Sequence, residues 1–147
     1  GAEKLKRIYE RSEILFCNRQ EAQKMLGTEI QEIKKLLNGL GQLGPKTVVI
    51  TDGKNGAYVF DGRKSWFMPP YPDPQAPLER TGAGDAFAST MTIALALGKS
   101  IPEALAWGPI NAMSVVQKIG AQAGLLTREA LEQYLTQAPA DYQPKVI

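Results

Sequence analysis

The run Thr81-Gly82-Ala83-Gly84-Asp85-Ala86-Phe87 holds the residue types of this chain best suited to chemistry. Two glycines flanking Ala83 open an apolar helix, and a carboxylate stands in its first turn. At such a start the N–H groups of Ala83, Gly84 and Asp85 have no intrahelical acceptor, and the helix dipole favours negative charge. Gly82 and Gly84 let the backbone come close to an anion. Asp85 is placed to take a proton from a hydroxyl. An anion held beside a proton acceptor is what phosphoryl transfer to a hydroxyl requires. The same residues also read as an ordinary helix entry, with Thr81 as N-cap and the glycines serving packing.

Two further runs carry polar groups at useful spacings. Asn18-Arg19-Gln20-Glu21 follows the apolar run 13–17, and Asn18 with Glu21 has the spacing of a capping box. Thr51-Asp52-Gly53-Lys54-Asn55-Gly56 follows a β-branched run and reads as a turn rich in Gly and Asn. It is not a Walker A loop, because no Gly-Lys-Ser/Thr follows. Asn111, on a later helix, reads as a polar helix position. Trp107, Met113 and Val116 read as core.

Composition removes several other chemistries. The 147 residues contain no histidine, which excludes Ser-His-Asp and Cys-His catalysis and the common His-based zinc sites. The net charge of +2 argues against a nucleic-acid surface built on bulk charge. The single Cys17 has no partner for an internal disulfide, so a reducing, cytoplasmic setting is expected. Residues 1–10 are charged and helical in pattern, unlike a signal peptide. No apolar run reaches membrane-spanning length, since Asp85, Ser89, Thr90 and Thr92 interrupt the longest.

The elements that must position these residues alternate. A short amphipathic helix is expected over 3–10, with Leu5, Ile8 and Tyr9 on one side. A buried strand follows over 13–17, then a helix from Asn18 to Leu26 ended by Gly27. Thr28 is expected to cap a helix carrying Ile30, Ile33, Leu36, Leu37 and Leu40. Thr47 to Thr51 reads as a buried parallel strand. Strands over 57–60 and 65–68 flank the Asp61-Gly62 turn. Prolines 69, 70, 72, 74 and 77 make an extended crossing into the glycine turn. A helix apolar nearly all round, hence buried, runs from Ala83 to about Leu97. The next, entered at Ser100 and Pro102, runs to about Lys118 with a possible kink at Pro109. Thr127 caps a last helix through Leu135. Residues 1–138 are expected to form one α/β domain, and 139–147 a poorly ordered tail.

Glu79 to Phe87 resembles the C-terminal signature of the ribokinase-like (PfkB) sugar kinases, usually D-T-x-G-A-G-D. Asn18-Arg19-Gln20-Glu21 resembles that family's N-x-x-E motif, and Thr51 to Gly56 its T-x-G-x-x-G turn. Asn111-Ala112 followed by Lys118-Ile119-Gly120-Ala121 resembles its later N-A…G-A segment. The likeness spans residues 13–135. It implies a ribokinase-like α/β fold with parallel strands, an antiparallel hairpin and helices on both faces. By the resemblance, Asp85 is the catalytic base, and Gly82, Ala83 and Gly84 form the anion hole for the transferred phosphoryl group. Thr51, Gly53, Gly56, Asn111, Gly120 and Ala121 border ATP. Asn18 and Glu21 serve the Mg²⁺ and phosphate network, and backbone carbonyls near Glu79 and Thr81 hold a monovalent cation (K⁺). Two positions depart from the signature: Glu79 replaces the usual Asp, and Arg80 the common Thr.

The family's first half, which carries most of the sugar contacts, has no counterpart in these residues. The chain is therefore expected to be the C-terminal, ATP-binding and base-carrying half of a carbohydrate kinase. An open strand edge implies a homo-oligomer or a separate N-terminal half as partner, with nucleotide and sugar as small-molecule ligands and no nucleic acid or membrane. Two rivals stay open. One is a nucleotide-binding module without catalysis, and the other an assembly element without ligand.

Overall fold

The β-branched run Thr47-Val48-Val49-Ile50-Thr51 suits a strand covered on both faces. In the computed structural model, which describes residues 2–77, 82–118 and 124–147, it forms β2 (Thr47–Thr51), with Val48, Val49 and Ile50 fully buried. β1 (Ile14–Asn18) runs parallel to it, pairing Ile14 with Thr47 and Asn18 with Thr51. β3 (Ala57–Phe60) returns antiparallel to β2, and β4 (Ser65–Met68) lies beside β3. The short β5 (Lys145–Val146) is antiparallel to β4, giving the order β1-β2-β3-β4-β5. The fold is α/β as expected. The sheet is mixed, with one parallel pair among the described strands.

The chain groups into two compact units. The first comprises Gly1–Gly53, Ala57–Phe67 and Lys145–Ile147, and the second Lys54–Gly56 and Met68–Pro144. The first unit contains α1 (Lys6–Glu10), α2 (Arg19–Leu26) and α3 (Ile33–Gly41). Ala22 from α2 and Leu36, Leu37 and Leu40 from α3 pack on the sheet face that carries Cys17, Val48 and Ile50. Burying a large aliphatic side chain in such a core contributes roughly 1.5–3 kcal/mol.

The second unit contains α4 (Ala83–Ala96), α5 (Ile101–Val116) and α6 (Arg128–Thr136). α4 and α5 approach closely. A Cβ at Gly108 would stand 2.8 Å from the Phe87 ring, so only hydrogen fits there. Ser100 and Thr127 cap α5 and α6, accepting the N–H groups of Glu103 and Ala130.

Several local expectations change. α1 has only five residues behind a 3₁₀ turn over Ala2–Leu5, too few turns to align a stripe. Tyr9 is buried, but Ile8 is 62% exposed and Leu5 is also exposed. α3 starts at Ile33, not after Thr28. The Thr28 hydroxyl accepts the Ile30 N–H at 3.2 Å, a local bond that competes with helix initiation. α4 is not buried all round, since Ile93 and Leu97 at its end are exposed. α5 runs through Pro109 to Val116, close to the end expected. The segment from Pro139 carries one buried anchor. Tyr142 is buried and donates its hydroxyl to the Ala106 carbonyl at 2.6 Å, and its ring meets Tyr71 edge-on at 5.0 Å. A lone aromatic in a polar segment gives no periodic signal, so the sequence hid this anchor.

Candidate functional site

The first cluster of site residues lies at the carboxyl ends of β1 and β2. In open α/β sheets, ligands bind beyond those ends. Asn18 closes β1 and Thr51 closes β2, and the two are register partners. The N-x-x-E and T-x-G motifs therefore start side by side. Asn18 is extended (φ −88°, ψ 172°) and caps α2. Its Oδ1 accepts the Glu21 N–H at 2.8 Å, while its own N–H donates to Glu21 Oε2 at 2.8 Å. The capping box is therefore complete. Past Thr51, Gly53 (φ 54°) and Gly56 (φ 97°) are both left-handed, and a 3₁₀ turn over Gly53–Asn55 joins them.

Sequence reasoning missed the strongest polar contact here. Arg19 Nη2 meets Asp52 Oδ2 at 2.6 Å, with the side chains 26% and 15% exposed. Arg19 Nη1 also donates to the Gln31 carbonyl at 3.1 Å and to Gln31 Oε1 at 3.4 Å. Both partners occupy the unspecified positions of their motifs, which is why pattern matching passed over them. A signal was present. Arginine in the first turn of a helix opposes the helix dipole, a local cost that a nearby carboxylate offsets.

Cys17 lies one residue before this cluster and is no nucleophile. Burial, then the Glu21 charge, pushes its thiol up to about 12.

The second cluster is the start of α4. Gly82 holds the N-cap position in the left-handed region (φ 85°, ψ −3°), a conformation that costs a side-chain-bearing residue about 1–2 kcal/mol. No side chain caps this helix among the described residues. The Gly82 carbonyl accepts the Ala86 N–H at 2.8 Å, so the helical ladder begins there and the earlier N–H groups precede it. Gly84 and Asp85 are exposed. A Cβ at Gly84 would meet nothing within 4 Å, so packing does not explain that glycine. The arrangement offers backbone donors and a positive dipole end to an anion, with the Asp85 carboxylate in the same turn.

Asn111 is 6% exposed and is engaged on both sides of its amide. Its Nδ2 donates to the Thr90 hydroxyl at 2.8 Å, and its Oδ1 accepts the Leu126 N–H at 2.9 Å. It ties α4, α5 and the approach to α6 together. Trp107, Met113 and Val116 are buried. Glu79 and Thr81, expected near a monovalent cation, and Gly120 and Ala121, expected near ATP, lie outside the described residues.

Among the described residues no three His, Cys, Asp or Glu side chains cluster as a metal cage. One carboxylate and one amide oxygen, from Glu21 and Asn18, fit Mg²⁺ that keeps its waters and arrives with phosphates. No helix of the described residues is long and apolar enough to cross a membrane.

Residues 1–128 match the pfkB family carbohydrate kinase. The chain belongs to this family. It is 38% identical over 94 residues to a ribokinase of Bacillus subtilis (strain 168), covering 64% of this chain and 31% of that protein. It is 36% identical over 117 residues to a cytidine kinase of Thermococcus kodakarensis, covering 79% of this chain and 41% of that one. The structure superposes on Arabidopsis thaliana ribokinase complexed with ribose and ATP, with a TM-score of 0.81 at 28% identity. That match covers 88% of this chain and 43% of the ribokinase. The chain therefore spans less than half the length of these relatives.

Proposed function

We propose that this chain is the C-terminal, nucleotide-binding and base-carrying portion of an ATP-dependent sugar kinase. It transfers the γ-phosphoryl group to a sugar hydroxyl. The observation that carries this reading is the start of α4: a left-handed glycine, no side-chain cap among the described residues, a second glycine that packing does not require, and an exposed carboxylate. Membership of a carbohydrate kinase family supports it.

In this mechanism the backbone N–H groups of Gly82, Ala83 and Gly84 stabilise charge on the transferred group, and Asp85 takes the proton from the sugar hydroxyl. Thr51 and Gly53 in the first unit, and Gly56, Gly120 and Ala121 in the second, are the residues that the family resemblance assigns to the nucleotide, and Asn111 braces α4 and α5. Asn18 and Glu21 hold Mg²⁺ through water and phosphates, and the ion, when bound, supplies charge neutralisation to the phosphate oxygens.

A second reading is a module that binds nucleotide without phosphorylating sugar. One experiment separates the two. The chain is incubated with Mg·ATP, with and without ribose, fructose and cytidine, while thermal shift and ADP release are followed. A shift with acceptor-dependent ADP supports the kinase. A shift without ADP supports the binding module, and no shift with any nucleotide overturns both.

A further inference from the structure

We infer that Arg19 and Asp52 form a positioning clamp that holds the two motif turns at the carboxyl ends of β1 and β2 in one fixed arrangement, and that nucleotide affinity depends on it. The inference rests on the proposed nucleotide-binding function, and it assigns neither residue a contact with nucleotide.

Three observations carry it. The first is placement: Arg19 directly follows Asn18, Asp52 directly follows Thr51, and Asn18 and Thr51 are partners in the parallel ladder. A bond between the two side chains thus crosses from one turn to the other just where strand pairing stops. The second is geometry. The 2.6 Å contact is short for a charge-assisted hydrogen bond, and both side chains are largely covered. The other arm of the guanidinium holds the Gln31 carbonyl, so one side chain fixes α2, the turn after β2 and the segment before α3. Lysine, a single point charge without the fork, cannot make these bonds together.

The third observation is local cost. Arg19 sits at the unfavourable end of the α2 dipole, and its Nε is buried without a hydrogen-bond partner among the described residues. Local physics disfavours arginine here, and the capping box needs nothing from it. What offsets these costs is the tie to Asp52. Breaking local rules for a longer-range contact is expected at functional sites.

The wild-type chain, Arg19→Met, Asp52→Asn, Arg19→Lys and the Arg19→Met/Asp52→Asn double variant are compared by two measurements. One is amide hydrogen exchange over residues 18–21 and 51–53 without nucleotide. The other is Mg·ATP affinity by calorimetry. Leu131→Ala, a buried position of α6 in the second compact unit, is the control for lost stability.

The clamp predicts faster exchange in both segments for each single variant, with α5 amides unchanged. It also predicts affinity about tenfold weaker for each single variant, with the double variant no worse than either. Arg19→Lys falls between wild type and Arg19→Met. Leu131→Ala lowers the denaturation midpoint and leaves affinity unchanged. Unchanged exchange in either Arg19→Met or Asp52→Asn overturns the clamp. Faster exchange with unchanged affinity, or additive losses in the double variant, overturns its link to nucleotide. A wild-type chain that binds no nucleotide overturns the proposed function instead, and the exchange data then decide the clamp alone.

Discussion

The N-termini of α2 and α4 both carry a motif, and they treat their backbone N–H groups in opposite ways. At α2, Asn18 and Glu21 complete a reciprocal cap with two 2.8 Å bonds, and Arg19 adds an ion pair to Asp52. At α4 a left-handed glycine enters the helix with no side-chain cap among the described residues, and Gly84 and Asp85 are exposed. A capped terminus satisfies its donors internally and serves as a frame. An uncapped one keeps donors and dipole available for something outside the chain. The difference separates a terminus whose backbone donors are used within the chain from one whose donors stay available to an anion.

The largest effect should come from Asp85. In a preparation that phosphorylates sugar, Asp85→Asn is expected to lower turnover by about 10²–10⁴-fold, the range for a positioned general base. Mg·ATP affinity should stay nearly constant. Steady-state kinetics with ADP detection measure both, and retained turnover removes Asp85 from the base role.

Gly84→Ala sharpens the contrast at the same turn. With open space around the added methyl, the free chain should gain about 0.5–1 kcal/mol against denaturant, as expected for replacing a helical glycine. The methyl also stands among the N–H donors, so the thermal shift with Mg·ATP should shrink. A variant both more stable and equally responsive to nucleotide would return α4 to an ordinary helix entry.

At the capped end, Asn18→Ala should cost about 1 kcal/mol, the usual value for losing such a cap. Urea unfolding gives the number. A loss far above this would mean that Asn18 does more than cap.

The smallest effect at neutral pH belongs to Cys17. Its folded pKa, about 12, lies above the 9.0 of an unperturbed thiol. Between these values the unfolded chain loses the proton and the folded chain keeps it, so the contribution is constant below pH 9 and stability falls as pH rises toward 12. A thiol reagent at pH 8 should modify the unfolded chain and leave the folded one intact. Fast labelling of folded protein would show that the floor of this cluster opens.

Much of this could be read directly from the chain. Strands from β1 to β4, the cap at Asn18, the stop at Gly27, and the caps of α5 and α6 follow from local rules acting over a few residues. The α4 glycine turn was legible for the same reason, since left-handed backbone and an exposed acid are local properties. Features that depend on distant residues were not. The late start of α3 follows from a hydroxyl turn at Thr28 and from Arg19 holding the Gln31 carbonyl. The packing of Tyr142 depends on the Ala106 carbonyl, 36 residues away. Asn111 read as helix polarity until Thr90 and Leu126 engaged its amide.

The sequence by itself determined the chemistry on offer: no histidine, one buried thiol, and an acid two residues beyond a glycine-opened helix start. These depend on residue identity and on backbone preferences that act over one or two turns. Tertiary structure alone decided that the N-x-x-E and T-x-G turns begin as register partners and that Arg19 reaches Asp52. The physical reason is range. Parallel pairing brings residues 18 and 51 side by side through 32 intervening residues, and no local pattern encodes which polar side chains will then meet.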